Sequence, residues 1–276
     1  MTKLTRRVWV GIGAATLAGA STLGSAVAQH GGHKADPAAG KAPTDEAATK
    51  DPAQGGEAYL TDGGPRDSRI RFYRDLSLIR GHIRIGTQLV ELGLWDEALP
   101  HFLHPTEELY SGMEKYIKGH NIRPFKLELG VLAQAVKAKR KGAYDQARKV
   151  VDQRITGALD RARKFMTPVL GFTAKTAAEV LKVALSEYES SIEDGKFAKP
   201  VEYQDSRGFL QEAEWMLEGS AADLKKADAE AFAKVQAALK QLKTAWPKPM
   251  PPETPLMEVG TMSALVSEIE LHTSRY

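Results

Sequence analysis

The densest concentration of side chains able to bind a cation runs Glu97-Ala-Leu-Pro-His101-Phe-Leu-His104-Pro-Thr-Glu107-Glu108. On an unbroken helix Glu97, His101, His104 and Glu108 fall at i, i+4, i+7 and i+11, a single stripe. Imidazole and carboxylate on one stripe is how helical proteins hold iron, copper or zinc. Pro100 and Pro105 each remove a backbone donor, which leaves the carbonyls of Asp96 and His101 without their usual partners. Kinks at these points would re-aim the two imidazoles. Two plainer readings stay open. Trp95, Ala98, Phe102, Leu109, Met113 and Ile117 form an apolar face nearly opposite the stripe, which would then be solvated. Alternatively, Pro105 opens a new helix with Glu107 and Glu108 in its favoured first turn.

Other candidate ligands lie at a distance along the chain. His82 sits among Ile79, Ile83, Gly86 and Leu89, on the apolar face of the preceding helix, where a histidine can equally be a core residue. His82 and His104 are each 11 residues from Gly93. They therefore stand at one height in a helical hairpin, and share a site only if the proline kinks turn His104 inward. His120, in a Gly-His-Asn turn, reads as a helix-end residue. Glu187-Tyr-Glu189 and Glu202-Tyr203-Gln-Asp205-Ser-Arg207 flank Gly195, so Glu187 or Tyr188 can face Tyr203. Carboxylates with a phenol suit ferric iron; the alternative is a surface pair of Asp205 with Arg207. Gln29-His30-Gly-Gly-His33 would hold copper only weakly.

His104-Pro-Thr-Glu107 fits the HxxE motif and so resembles imelysin-like periplasmic proteins. That resemblance implies a helical bundle binding iron through His104 and Glu107. The chain differs in carrying Pro105 inside the motif and Phe102 where the family has glycine. A second resemblance, to a single tetratricopeptide hairpin, rests on Gly86, Leu89, Gly93, Trp95, Ala98 and Phe102. The partial echoes of that turn at Gly142 and Gly195 are 49 and 53 residues apart, too far for a tandem array of 34-residue repeats.

The elements that must position these residues are helical. Apolar periodicity predicts helices over 66–92, 94–118, 123–141, 143–166, 173–194, 201–226, 228–245 and 256–273, broken by glycine and proline. The fold class expected is all-α: antiparallel helical hairpins or a bundle of about eight helices over 66–276. A division into halves, 66–167 and 168–276, is an option. Residues 29–65, rich in Ala, Gly, Pro, Asp and Lys, read as a disordered linker. Residues 1–28 read as an export signal, with Lys3, Arg6 and Arg7 ahead of an apolar stretch and cleavage after Ala28. The paired arginines fit either general secretion or twin-arginine export, and a periplasmic destination follows from both.

The formal charge of +3 belongs to that signal. Without Lys3, Arg6 and Arg7 there are 35 basic and 35 acidic residues, so no net basic footprint argues for nucleic acid. No stretch beyond the signal is apolar enough to span a membrane. The chain has no cysteine, which removes disulfides, thiolate metal sites and c-type haem attachment. No phosphate loop, nucleophile elbow or HExxH motif is present. The expectation is an exported periplasmic, non-enzymatic binding protein for a transition metal, iron ahead of copper, in uptake or storage. Its ligands would come from His101, His104, Glu107, Glu108 and His82, with Glu97, Glu187 and Tyr203 as weaker candidates. The alternative is a tetratricopeptide-like scaffold for a periplasmic protein partner; a metal-dependent oxidoreductase comes third.

Overall fold

A computed structural model describes residues 64–276. The segment read as an export signal, the His30/His33 pair read as a weak copper site and nearly all of the segment 29–65 read as a linker lie outside the described residues. The described chain is all-α apart from one two-residue hairpin. It runs α1 (Ser68–Glu91), α2 (Trp95–His104), a π turn (Pro105–Leu109), α3 (Tyr110–Gly119), α4 (Lys126–Lys137) and α5 (Lys141–Arg163). It continues with α6 (Val169–Ser190), β1 (Ile192–Glu193), β2 (Lys196–Phe197), α7 (Pro200–Gly219), α8 (Ala221–Ala227), α9 (Ala229–Leu242) and α10 (Val259–Thr273). The helices expected from periodicity are found with ends shifted by a few residues. The 201–226 prediction divides at Ser220 into α7 and α8.

Local chemistry accounts for the boundaries. Asp67 caps α1 by accepting from the Arg69 amide at 2.9 Å, and Asp228 caps α9 by accepting from the Ala231 amide at 3.0 Å, each satisfying a donor that lacks a helical partner. Pro105 cannot donate to the turn before it. The chain responds by widening to a π turn, with the Tyr110 amide bonded to the Pro105 carbonyl. Such turns insert one residue and rotate the helix beyond them.

One apolar core runs through the described chain, from Phe72 and Leu76 on α1, through Phe102, Leu132 and Ile155, to Val180, Phe209 and Ile269. α1 is its axis, in contact with α2, α5, α6 and α7. Close approach at two places fixes its neighbours. A Cβ on Gly86 would meet Phe102 Cε2 at 2.7 Å, and one on Gly208 would meet the Gly81 carbonyl oxygen at 2.5 Å. The segment between α9 and α10 is tied across the α6–α7 hairpin. Tyr203 donates to the Lys248 carbonyl at 3.0 Å, Tyr188 to the Met257 carbonyl at 3.0 Å, and Arg207 to the Trp246 carbonyl at 2.7 Å.

Candidate metal centre

Asp205 is 3 % exposed, in the middle of α7, and three imidazoles converge on it. Its Oδ1 lies 2.6 Å from His82 Nδ1 and 2.7 Å from His101 Nδ1, and its Oδ2 lies 3.1 Å from His104 Nδ1. An ionised carboxylate only accepts, so each Nδ1 donates. His82 comes from α1, His101 and His104 from α2. The Gly81–Gly208 contact seats α1 on α7 immediately beside His82, and the close approach of α2 to α1 at Gly86 brings His101 and His104 to the same place. His101 is completely buried, and its Nε2 is 2.9 Å from Gln204 Oε1. Gln204 Nε2 in turn lies 3.3 Å from Met250 Sδ. Both ring nitrogens of His101 are thus engaged, which orients it and leaves His82, His104 and Asp205 as the more available donors.

The electrostatics bind the cluster together. Burial alone would raise the Asp205 carboxyl. The charges of His82 and His101, with hydrogen bonds from His101 and His104, outweigh it and hold Asp205 well below the usual carboxylate range. Burial also works against a charged His104. The hydrogen bond to Asp205 and the charges of Asp205, Glu108 and Glu187 prevail and raise it to about 9. For His82 burial dominates and lowers its pKa despite Asp205. Glu108 Oε1 stands 3.5 Å from His104 Nδ1. Glu187 is pushed well above the usual carboxylate range, first by burial and then by Asp205, Glu108 and Glu202.

One ligand atom each from His82, His104 and Asp205 falls within 4.8 Å of the others. The donor atoms joined in hydrogen bonds are 2.6–3.1 Å apart. Neighbouring ligands around a single ion with bonds of about 2.1 Å are separated by roughly 3 Å. An ion that displaces the Nδ1 protons therefore meets each imidazole nitrogen about that far from an oxygen of Asp205, with the three ligand atoms drawn closer around it.

Residues 167–276 match the family model of the iron permease-associated 4-helix bundle domain. No curated protein and no solved structure matches the chain. The matched segment starts at the break before α6 and contains α6, α7, α9 and α10, and so supplies Asp205, Gln204, Glu187 and Glu202. The three imidazoles lie outside it, on α1 and α2. The cluster is therefore assembled between the matched bundle and the helices that precede it.

The structure brings His82, His101 and His104 together and places Glu108 beside them. Glu97 and Glu107 are exposed, and neither joins the cluster by a hydrogen bond or ion pair. Of the HxxE pair, His104 alone touches Asp205. Glu187 is half-buried and close enough to Asp205 and Glu108 to be perturbed by them. Tyr203 is buried, its pKa pushed up to about 12 by burial, and its hydroxyl is committed to the Lys248 carbonyl. The stripe on α2 is not a solvated face, because α7 covers it at His101. Nor do Asp205 and Arg207 form a surface pair: Arg207 turns to the Trp246 carbonyl. Asp205 and Gln204 are the members that motif and spacing do not reveal as ligands. The signal for Asp205 is the spacing of Asp205, Phe209, Glu212 and Met216, which puts two acids on an otherwise apolar stripe; Gln204 has none.

Proposed function

We propose that the chain is an exported, non-enzymatic protein that binds a transition metal, iron ahead of copper, for uptake or storage. The observation that carries this reading is the convergence of His82 and His104 on one buried aspartate. Imidazole with carboxylate is a donor set suited to divalent iron, copper or zinc, so the residues present fit such a cargo. His82, His104 and Asp205 would hold the ion, with Glu108 at the more open side. His101 would act from behind, keeping Asp205 in place while Gln204 keeps His101 in place. The match of residues 167–276 to an iron permease-associated domain supports iron as the cargo, and the export signal supports a periplasmic setting.

The test is metal analysis of protein isolated from its native compartment, together with titration of the metal-free protein with Fe(II), Cu(II) and Zn(II). Near-stoichiometric iron is expected, with Fe(II) binding lost in a His82→Ala/His104→Ala double variant whose helical circular dichroism is unchanged. A double variant that still binds with wild-type affinity removes these residues from the proposal. Absence of binding by the wild-type protein returns weight to the tetratricopeptide-like scaffold.

A further inference from the structure

The α4–α5 hairpin carries apolar side chains on its outer side. α4 buries Leu129, Leu132 and Val136, and α5 buries Tyr144, Val151 and Ile155, as amphipathic helices should. Yet Leu127 is 78 % exposed, Val131 52 % and Val150 38 %. They line a groove of about 410 Å³ whose other walls include Ala143 and Ala147. Leu127 and Val131 are one helical turn apart on α4; Ala143, Ala147 and Val150 form the facing stripe on α5. A single exposed aliphatic residue means little, but neighbouring stripes of them mark an interaction surface.

The charge around this surface is one-sided. Residues 126–154 hold eight Lys/Arg against three Asp/Glu, whereas residues 167–276 hold twelve against seventeen. Overall neutrality beyond the export signal thus conceals a basic hairpin and an acidic bundle. Lys137, Arg140 and Lys149 are exposed and form no ion pair among the described residues. Lys139 and Lys141 pair only with the exposed acids Asp96 and Asp145, contacts that contribute little in water.

We infer that the outer face of the α4–α5 hairpin docks on a membrane surface rich in anionic phospholipid. Leu127, Val131 and Val150 enter the boundary between headgroups and acyl chains, while Lys137, Arg140 and Lys149 meet the lipid phosphates. A second copy of the chain is the poorer occupant, because it would bring two basic rims together. A protein partner is also the poorer fit, since the apolar patch has no Trp or Tyr of the kind that anchors protein interfaces. Contact is peripheral: no described helix is long and apolar enough to cross a membrane. The inference does not depend on the metal centre.

Because the chain has no cysteine, a single Leu127→Cys substitution in the full chain gives one attachment point for a polarity-sensitive fluorophore. The control is Lys225→Cys, exposed on α8 in the matched bundle. The same N-terminal residues are present in both, so any membrane affinity of theirs is common to the two. With vesicles containing phosphatidylglycerol, the probe at 127 should shift to the blue and become shielded from an aqueous quencher, while the probe at 225 stays unshifted. Vesicles of phosphatidylcholine alone should leave both unshifted. Adding Lys137→Glu, Arg140→Glu and Lys149→Glu should weaken partitioning by about a hundredfold or more, at roughly fivefold per basic residue removed. A probe at 127 that stays in water, shifts no more than the probe at 225, or is indifferent to these charge changes overturns the inference. An unshifted probe at 127 that an acidic protein then shields would show that the surface serves a protein partner instead.

Discussion

Asp205 is the residue on which the site depends. It is buried and accepts from three imidazoles, and no Lys or Arg among the described residues pairs with it. Asp205→Asn keeps the shape and removes the charge, so two effects are expected together. The metal-free protein should lose on the order of 3 kcal/mol, the cost of breaking a buried charge pair, read as a lower urea midpoint. Fe(II) affinity should fall at least tenfold by calorimetry; unchanged affinity would mean that Asp205 orients histidines without touching the ion. His104 supplies a pH signature. Its folded pKa of about 9 stands above the ordinary 6.5, so its contribution is complete below pH 6.5 and is lost as pH rises through 9. At about 1.4 kcal/mol per unit that is on the order of 3 kcal/mol. Metal must displace the same proton, so stabilisation by added Fe(II) or Zn(II) should grow over the window in which the metal-free protein weakens. Parallel pH dependence with and without metal would exclude His104 as a ligand. At the acid end the depressed Asp205 gives the reverse sign: its contribution is present above the ordinary carboxylate pKa and disappears as pH falls below it. In the sequence, His82 and His104 were legible as equidistant from Gly93. Asp205 was visible only as one acid in the Glu202–Arg207 polar run, where Arg207 two residues away offered a false partner and nothing local pointed to His82.

At the scale of elements, nearly all of the architecture was legible, because amphipathic period and glycine or proline breaks are local properties. What was not legible is how α2 is rotated. Pro105 announces a disturbed hydrogen-bond ladder, but whether the helix kinks, restarts or widens depends on what it packs against. Here it widens, so that His101 and His104 face α7 while Leu109 and Met113 stay in the core. The meeting of α1 with α7 is equally non-local. Gly81 and Gly208 lie 127 positions apart in the chain, and nothing in either helix alone says that their backbones touch. Gly208→Ala tests that contact. Its Cβ would stand 2.5 Å from the Gly81 carbonyl oxygen, a backbone atom that cannot swing away, so α1 must move off α7. The expected cost is about 1–3 kcal/mol, with a fall in metal affinity because His82 retreats with α1. Gly219→Ala, where a Cβ meets nothing within 4 Å, should leave metal affinity unchanged and raise stability by up to about 1 kcal/mol, the advantage of alanine over glycine in a helix. A Gly208→Ala protein that keeps full affinity would show that His82 is dispensable.

For the whole molecule, the division of labour between the two parts of the chain makes a sharper claim than any single side chain. The segment matching the iron permease-associated bundle brings Asp205 and Glu187, and the preceding helices bring the imidazoles and Glu108. Of the seven histidines only His272 lies within 167–276, and it is far along the chain from Asp205. A protein comprising 167–276 alone should therefore bind Fe(II) at least a hundredfold more weakly than the full chain, whether or not it retains helical circular dichroism. In the full chain an ion joins α1 and α2 to α7 and stabilises the folded state by mass action, about 2.7 kcal/mol when free metal exceeds its dissociation constant a hundredfold. For some 210 folded residues this corresponds to a rise in melting temperature of roughly 5–10 °C, reversed by a chelator. The size of that rise in the full chain against the isolated segment decides where the site is built. A rise confined to the full chain places it between the two parts, at His82, His104 and Asp205. An equal rise in both would locate metal binding within the bundle's own carboxylates and leave the histidine cluster a structural network.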